Sequence, residues 1–428
     1  MHRNPRNDLN PRLSVATLGV AVGGAVTVAV SLAVAPAVAG GDACRAAAAA
    51  EAASCQPTVD LAICLDTSGS MQGLIDTARA RIWDVVSDLA TAQPVPKLRV
   101  ALITFGNDGH RAENGWTSVD SAFTDDLDTI SMKLFALATN GGTEFVGRAV
   151  DTATRTLDWT PGDKSLKLIV IAGNESADQD AEVRYGDASR RAIEKGIMVN
   201  SIYCGDPADA LAPAWREVAK LADGHYAAIN QAEGAVAIST PFDDRLAALS
   251  STLNETYLPY GAQAEWGAAN QTRQDGNASG MSTAVAAQRC GAKASSLYNN
   301  RGWDLVDACK DASFKLESVK KDELPEAMQS MTPDERTAHV AAMAARRAEI
   351  QKQVQEIGLE REKFLNAERA RLASESPRFE HVIRDAVRAQ ATAKGMNFPA
   401  PATAPAIAAP TEPAAPAAPL AGSIKDGC

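Results

Sequence analysis

Aromatic residues make up only 5% of this 428-residue chain, and its five histidines are scattered. His2, His110, His225, His339 and His381 form no His-Glu-x-x-His spacing, so a zinc-protease helix is excluded as a motif. A Gly-x-Ser-x-Gly nucleophile elbow is absent. The lysine and glycine spacing of a phosphate-cradling loop is absent too, although Gly141-Gly142-Thr143 looks superficially glycine-rich. Clustered basic residues are missing, and the net charge is -11, which excludes a partner held through its phosphate backbone. After residue 39 no run is apolar enough to cross a bilayer.

Apolar residues nevertheless reach 46%, and much of that share is alanine at both ends and in the last third. Near the amino terminus Arg3, Arg6 and Arg12 precede an uncharged stretch from Leu13 to Ala39, ending Ala37-Val38-Ala39. That layout predicts a signal peptide over residues 1–39, with an uncleaved membrane anchor as the alternative. An exported chain, secreted or held in the periplasm or cell envelope, permits disulfides. The seven cysteines are odd in number. Local pairing of Cys44 with Cys55 and of Cys290 with Cys309 is the economical arrangement, with Cys64 a buried thiol.

An alanine-rich linker occupies residues 40–56. From 57 to 260 short apolar runs alternate with amphipathic stretches, the pattern of a mostly parallel sheet covered on both faces. Strands are expected at Val59–Leu65, Leu98–Phe105, Leu166–Ala172, Met198–Tyr203 and Tyr226–Ile229, with an edge strand at Ser118–Phe123. Helices fall between them, and a last one, capped by Thr240, closes the unit near Tyr257. Residues 261–282, rich in Asn, Gln, Gly and Ser without apolar periodicity, read as a polar linker. A helical extension follows over 283–397. Thr332-Pro333-Asp334-Glu335 has capping-box spacing and opens a helix to about Ser374. Its heptad seam, from Val340 to Phe364, is broken by Arg347 and Arg361, which favours short antiparallel packing over a long coiled coil. Residues 398–428, with seven prolines between Pro399 and Pro419, cannot bury a core and read as a disordered tail.

The first strand runs directly into Asp66-Thr67-Ser68-Gly69-Ser70-Met71. In an open parallel sheet the loops after the strands converge on one crevice, so positions i, i+2 and i+4 can face a common centre. Here those positions carry a carboxylate and two hydroxyls. Asp, Ser and Thr at such turns are also ordinary helix caps.

The pattern resembles the von Willebrand factor A family, whose metal-ion-dependent adhesion site begins Asp-x-Ser-x-Ser. The resemblance covers about Thr58 to Tyr257 and implies a Rossmann-like open α/β sheet with helices on both faces, followed here by the carboxy-terminal α-helical extension. It implies Asp66, Ser68 and Ser70 as ligands, and Thr143 in Asn140-Gly141-Gly142-Thr143-Glu144 as the second-loop threonine. The family's third loop normally brings an aspartate; this sequence has Ala172-Gly173-Asn174-Glu175, so Gly173 stands there and Glu175 is the substitute candidate. Such a site is degenerate and its metal affinity weaker. Trp303-Asp304-Leu305-Val306-Asp307-Ala308 resembles segments of exported bacterial proteins with this domain. Hard oxygen donors imply Mg2+, Ca2+ or Mn2+ rather than zinc. The implied partner is a protein presenting an acidic residue, with no enzyme activity and no nucleic acid. Two alternatives stand beside this reading: a metal-independent envelope scaffold, and a hydrolase.

Overall fold

The computed structural model describes residues 56–229, 238–372 and 379–399. The expected signal peptide, the Cys44–Cys55 pair, almost all of the first linker and nearly the whole proline-rich tail lie outside the described residues. Six strands are present: β1 Thr58–Asp66, β2 Lys97–Phe105, β3 Thr117–Thr124, β4 Leu166–Gly173, β5 Ile197–Tyr203 and β6 Tyr226–Ala228. They lie in the order β3-β2-β1-β4-β5-β6. All neighbours are parallel except β2 and β3, which are antiparallel.

Alternation along each strand divides the core between two faces. On β1, Val59, Leu61 and Leu65 join one cluster while Ala62 and Cys64 join the other; on β4, Leu166, Leu168 and Val170 oppose Ile169 and Ile171. Both faces are therefore apolar, which is why these strands read as continuous apolar runs. The first face is covered by α1 Gln72–Leu89 and α2 Leu127–Ala136. The second is covered by α3 Val146–Thr156, α4 Tyr185–Glu194 and α5 Ala212–Lys220.

The chain continues through α6 Asp243–Asn254, α7 Ala264–Met281, α8 Thr283–Lys293, α9 Leu305–Ala308, α10 Glu326–Gln329, α11 Pro333–Leu372 and α12 Phe379–Ala393. Val285, Cys290, Ile350, Val354, Ile357, Val387 and Ala391 belong to the same cluster as the first sheet face, so these helices form a second layer over α1 and α6. No helix among the described residues is long and apolar enough to cross a membrane.

Three expectations are corrected. Residues 261–282 contain a helix, α7, rather than a linker. Its buried face is polar: Gln274 Oε1 accepts from Ser131 Oγ at 3.0 Å, and the Gln271 carbonyl accepts from Arg289. Polar groups satisfied by distant residues bury without an apolar period, so hydrophobic patterning misses such a helix. Second, Thr240 stands ahead of α6, not at its cap; its hydroxyl donates to Asp243 Oδ1 at 2.7 Å, tying the approach to the first turn. Third, Cys290 and Cys309 are both free, one buried in α8 and the other exposed.

The capping box forms as expected. Thr332 N donates to Glu335 Oε2 at 2.8 Å and Glu335 N returns to Thr332 Oγ1 at 3.4 Å. Both seam arginines are buried against acids of the neighbouring helices, Arg347 on Asp304 and Asp307, and Arg361 on Asp243. The long helix thus packs on the body of the protein. Its seam is a mixed apolar and ionic one.

Candidate functional site

The strand order reverses direction at β1, with β2 on one side and β4 on the other, so the crevice at their carboxyl ends is the fold's switch point. Asp66 is the last residue of β1 and Gly173 the last of β4. Backbone hydrogen bonds lace the surrounding loops: Thr67 N to the Phe105 carbonyl at 2.8 Å, Gly69 N to Gly141 at 3.1 Å, and Asn140 N to Thr67 at 3.0 Å. Asn107 Nδ2 donates to the carbonyls of Thr67 and Ala138. Gly141, at φ +86°, makes the turn that brings residues 140–144 against the first loop, a conformation glycine adopts freely.

Asp66 is fully buried, and its Oδ1 accepts from Ser68 N at 2.8 Å. Ser68 Oγ lies 3.4 Å from Ser70 Oγ, and Ser70 Oγ in turn pairs with the Asn174 amide, Nδ2 donating at 3.0 Å. The three first-loop residues are therefore gathered together, with Asn174 of the third loop closing the set. Thr143 is half-buried and its hydroxyl has no hydrogen-bond partner among the described residues. Glu175 is exposed at the rim and uses its carbonyl to accept from Trp215 Nε1 at 2.8 Å.

The residue that sequence reasoning passed over is Glu144, directly after Thr143. It is 3% exposed. A Cβ placed on Gly106 would lie 2.7 Å from Asp66 Oδ1 and 2.9 Å from Glu144 Cγ, so both side chains border the space that this glycine leaves open. Asp66 Oδ2 and Glu144 Oε2 are the only buried carboxylate oxygens among the described residues with no hydrogen-bond partner. Nothing in the letters Thr-Glu announces this; the signal was only that a carboxylate adjoins a candidate ligand.

Electrostatics follow from that burial. Desolvation pushes Asp66 up to about 7, with the charge of Glu175 adding to the rise while the Ser68 N–H and hydroxyl oppose it. Glu144 is pushed up to about 8, first by burial and then by the charge of Asp66. Each of these two acids leaves one buried oxygen without a donor, a state relieved by a proton or by a shared cation. Among the described residues no three His, Cys, Asp or Glu side chains converge, so a cation here would rest on carboxylates supplemented by hydroxyls. That donor set is hard oxygen throughout and fits a divalent ion of the Mg2+, Ca2+ or Mn2+ type.

At the third loop a Cβ on Gly173 would come 3.0 Å from Trp215 Cη2 and 3.2 Å from Asp66 Oδ2. Both contacts are tighter than ordinary packing. A side chain at this position would therefore require Trp215 and Asp66 to give by a few tenths of an ångström.

Residues 60–230 match the family model described as von Willebrand factor type A domain. This part of the chain is a von Willebrand factor type A domain. Among solved structures, proximal thread matrix protein 1 from the mussel byssus, in a form with a zinc-occupied MIDAS motif, is 14% identical with a TM-score of 0.34, covering 42% of this chain and 43% of that one. The VWA domain of SpRpn10 is 14% identical with a TM-score of 0.32, covering 42% of this chain and 100% of its own. The pilus adhesin SpaC from Lactobacillus rhamnosus GG is also 14% identical with a TM-score of 0.32, covering 42% of this chain and 28% of its own. The chain thus spans less than half the length of the mussel protein and of the adhesin. The comparison with curated proteins returns no match. A separate cavity of about 580 Å3 lies between α1, α8, α11 and α12, away from the crevice of the von Willebrand domain.

Proposed function

We propose that the von Willebrand domain is a binding module without chemistry of its own, which grips a protein partner through a divalent cation held at Asp66, Ser68, Ser70 and Thr143. When bound, such an ion supplies an open coordination position that attracts an acidic side chain. The chain's own residues do the rest: Asp66 provides a buried carboxyl group, Ser68 and Ser70 provide oxygens at the same crevice, and Asn174 holds Ser70 in place. The observation that carries this reading is the buried, unpartnered Oδ2 of Asp66 at the fold's switch point. An uncompensated acceptor there costs stability unless something positive or a proton meets it.

The amino-terminal layout, three arginines before a long uncharged stretch, supports export to the cell surface or envelope, where divalent cations are plentiful. A second reading, a metal-independent scaffold, draws on Gly173 and on the broad helical layer that binds α1 and α6. Calorimetric titration of Mg2+, Ca2+ and Mn2+ into wild type and Asp66→Ala separates the two. Heats in wild type that vanish in the variant support the cation site; equal heats in both leave the scaffold. Capture of partners from the native envelope should then be lost in chelator. Determining the processed amino terminus by mass spectrometry checks the signal peptide: a mature chain that still begins before residue 39 would refute cleavage there.

A further inference from the structure

Gly173, closely faced by Trp215, carries no carboxylate, yet the crevice still contains two carboxylates. The second comes from the other side. Glu144 reaches the opening beside Gly106 that Asp66 also borders, it is almost wholly buried, and its Oε2 has no donor. Its backbone N–H is fixed by Gln179 Oε1 at 3.0 Å, so the residue is anchored from the third-loop side while its side chain turns inward.

Among the described residues the other buried acids are matched by cations of the protein. Asp60 is paired with Arg99, Asp128 with Arg289, Asp180 with Arg148, Asp243 with Arg361 and Asp304 with Arg347. Asp66 and Glu144 alone among the described buried carboxylates combine full enclosure with an oxygen that meets no donor. A structural carboxylate at position 144 would be expected to follow the same rule of pairing; a ligand carboxylate would not.

We infer that Glu144 is the second carboxylate ligand of the cation site, replacing from the second loop the negative charge that the third loop has lost. This rests on the cation reading above and extends it. Two carboxylates balance the charge of a divalent ion, so the site retains its ion before any partner arrives, and an incoming acidic group competes with water rather than supplying the charge that holds the metal. The partner then contributes selectivity and adhesion, whereas retention of the ion belongs to the chain.

The test uses the full chain freed of metal by chelation, with Mn2+ as the probe and free Mn2+ followed by electron paramagnetic resonance. The variants are Asp66→Asn and Glu144→Gln. The glutamine keeps the shape of the side chain while removing the carboxyl group, so the protein should fold. Expected are binding by wild type without partner, loss in Asp66→Asn, and affinity lowered at least about tenfold in Glu144→Gln. A second expectation is that added Mn2+ raises the melting temperature of wild type but scarcely that of Glu144→Gln. If Asp66→Asn abolishes binding while Glu144→Gln binds as wild type does, the inference about Glu144 is overturned and the cation site stands. If wild type binds no Mn2+ at millimolar concentration, the cation reading itself falls, and this inference with it.

Discussion

Replacing Arg347 by Met should cost the protein about 3–5 kcal/mol, a large part of an ordinary folding stability of about 5–15 kcal/mol. The reason is geometric. The guanidinium is 2% exposed on its side chain and donates to Asp304 Oδ2 at 2.7 Å, to Asp307 Oδ1 at 3.1 Å, to the Thr256 carbonyl at 2.7 Å and to Thr256 Oγ1 at 3.0 Å. It also lies 4.1 Å over the ring of Tyr257. Methionine fills much of the volume but leaves Asp304, fully buried, with only the N–H groups of Leu258 and Asp307 for its charge. Asp307 keeps Lys310 at 2.7 Å. Burial already pushes the Asp304 carboxyl above its ordinary value, and Arg347 is the chief force drawing it down. Without the arginine the carboxyl should rise further, so the penalty must shrink as pH falls and Asp304 takes up a proton. Urea unfolding followed by fluorescence and circular dichroism measures the loss. In a double-mutant cycle, Asp304→Asn should recover a substantial part of it, with a coupling of about 2 kcal/mol or more. Strictly additive effects, or a loss under about 1 kcal/mol for Arg347→Met, would refute the claim that this ion pair fastens the long helix to the domain.

Three further outcomes are expected. Because the folded-state value of Asp66 lies near 7, above that of an unfolded carboxyl, metal-free protein should lose stability as pH rises from about 4 to about 7, by up to about 4 kcal/mol; Glu144 adds a loss of the same sign that continues to about 8. Melting in chelator across that range checks it, and Asp66→Asn should flatten the curve. Gly267→Ala would place a Cβ 2.3 Å from Trp303 Cγ, forcing α7 away from its seat at a cost of about 1–3 kcal/mol; an unchanged urea midpoint would mean that α7 is not docked there. Under native conditions Cys309 should alkylate readily while Cys290, whose thiol burial pushes up to about 12, reacts only after unfolding. Protection of both until a reductant is added would instead reveal the disulfide that the structure lacks.

How much of this could be read from the letters follows from where each signal is stored. The strands were legible because a sheet covered on both faces writes itself as uninterrupted apolar runs: the expected Leu98–Phe105 and Met198–Tyr203 differ from the observed strands by one residue at most. That Asp66, Ser68 and Ser70 gather at the end of β1 was legible because strand end and loop fix their alternation. Arg347 and Arg361 announced themselves as interruptions of a heptad, but their acids, 43 and 118 residues away, could not be assigned without the fold. Helix α7 was illegible for the same reason turned round: Gln271 and Gln274 satisfy groups on Tyr298 and Ser131, which no local period records.

The same bookkeeping of partners separates scaffold from site. This chain habitually buries a carboxylate by carrying an arginine to it: Arg388 of α12 grips Asp88 of α1, and Arg289 of α8 spans Asp128 and Asp275. Each such pair joins two elements, so its charge is consumed by the fold. Asp66 and Glu144 break the habit at the one place where strand ends diverge and loops close over a crevice. Among the described residues no arginine or lysine is carried to this pair, so a proton, or the cation proposed above, is what completes it.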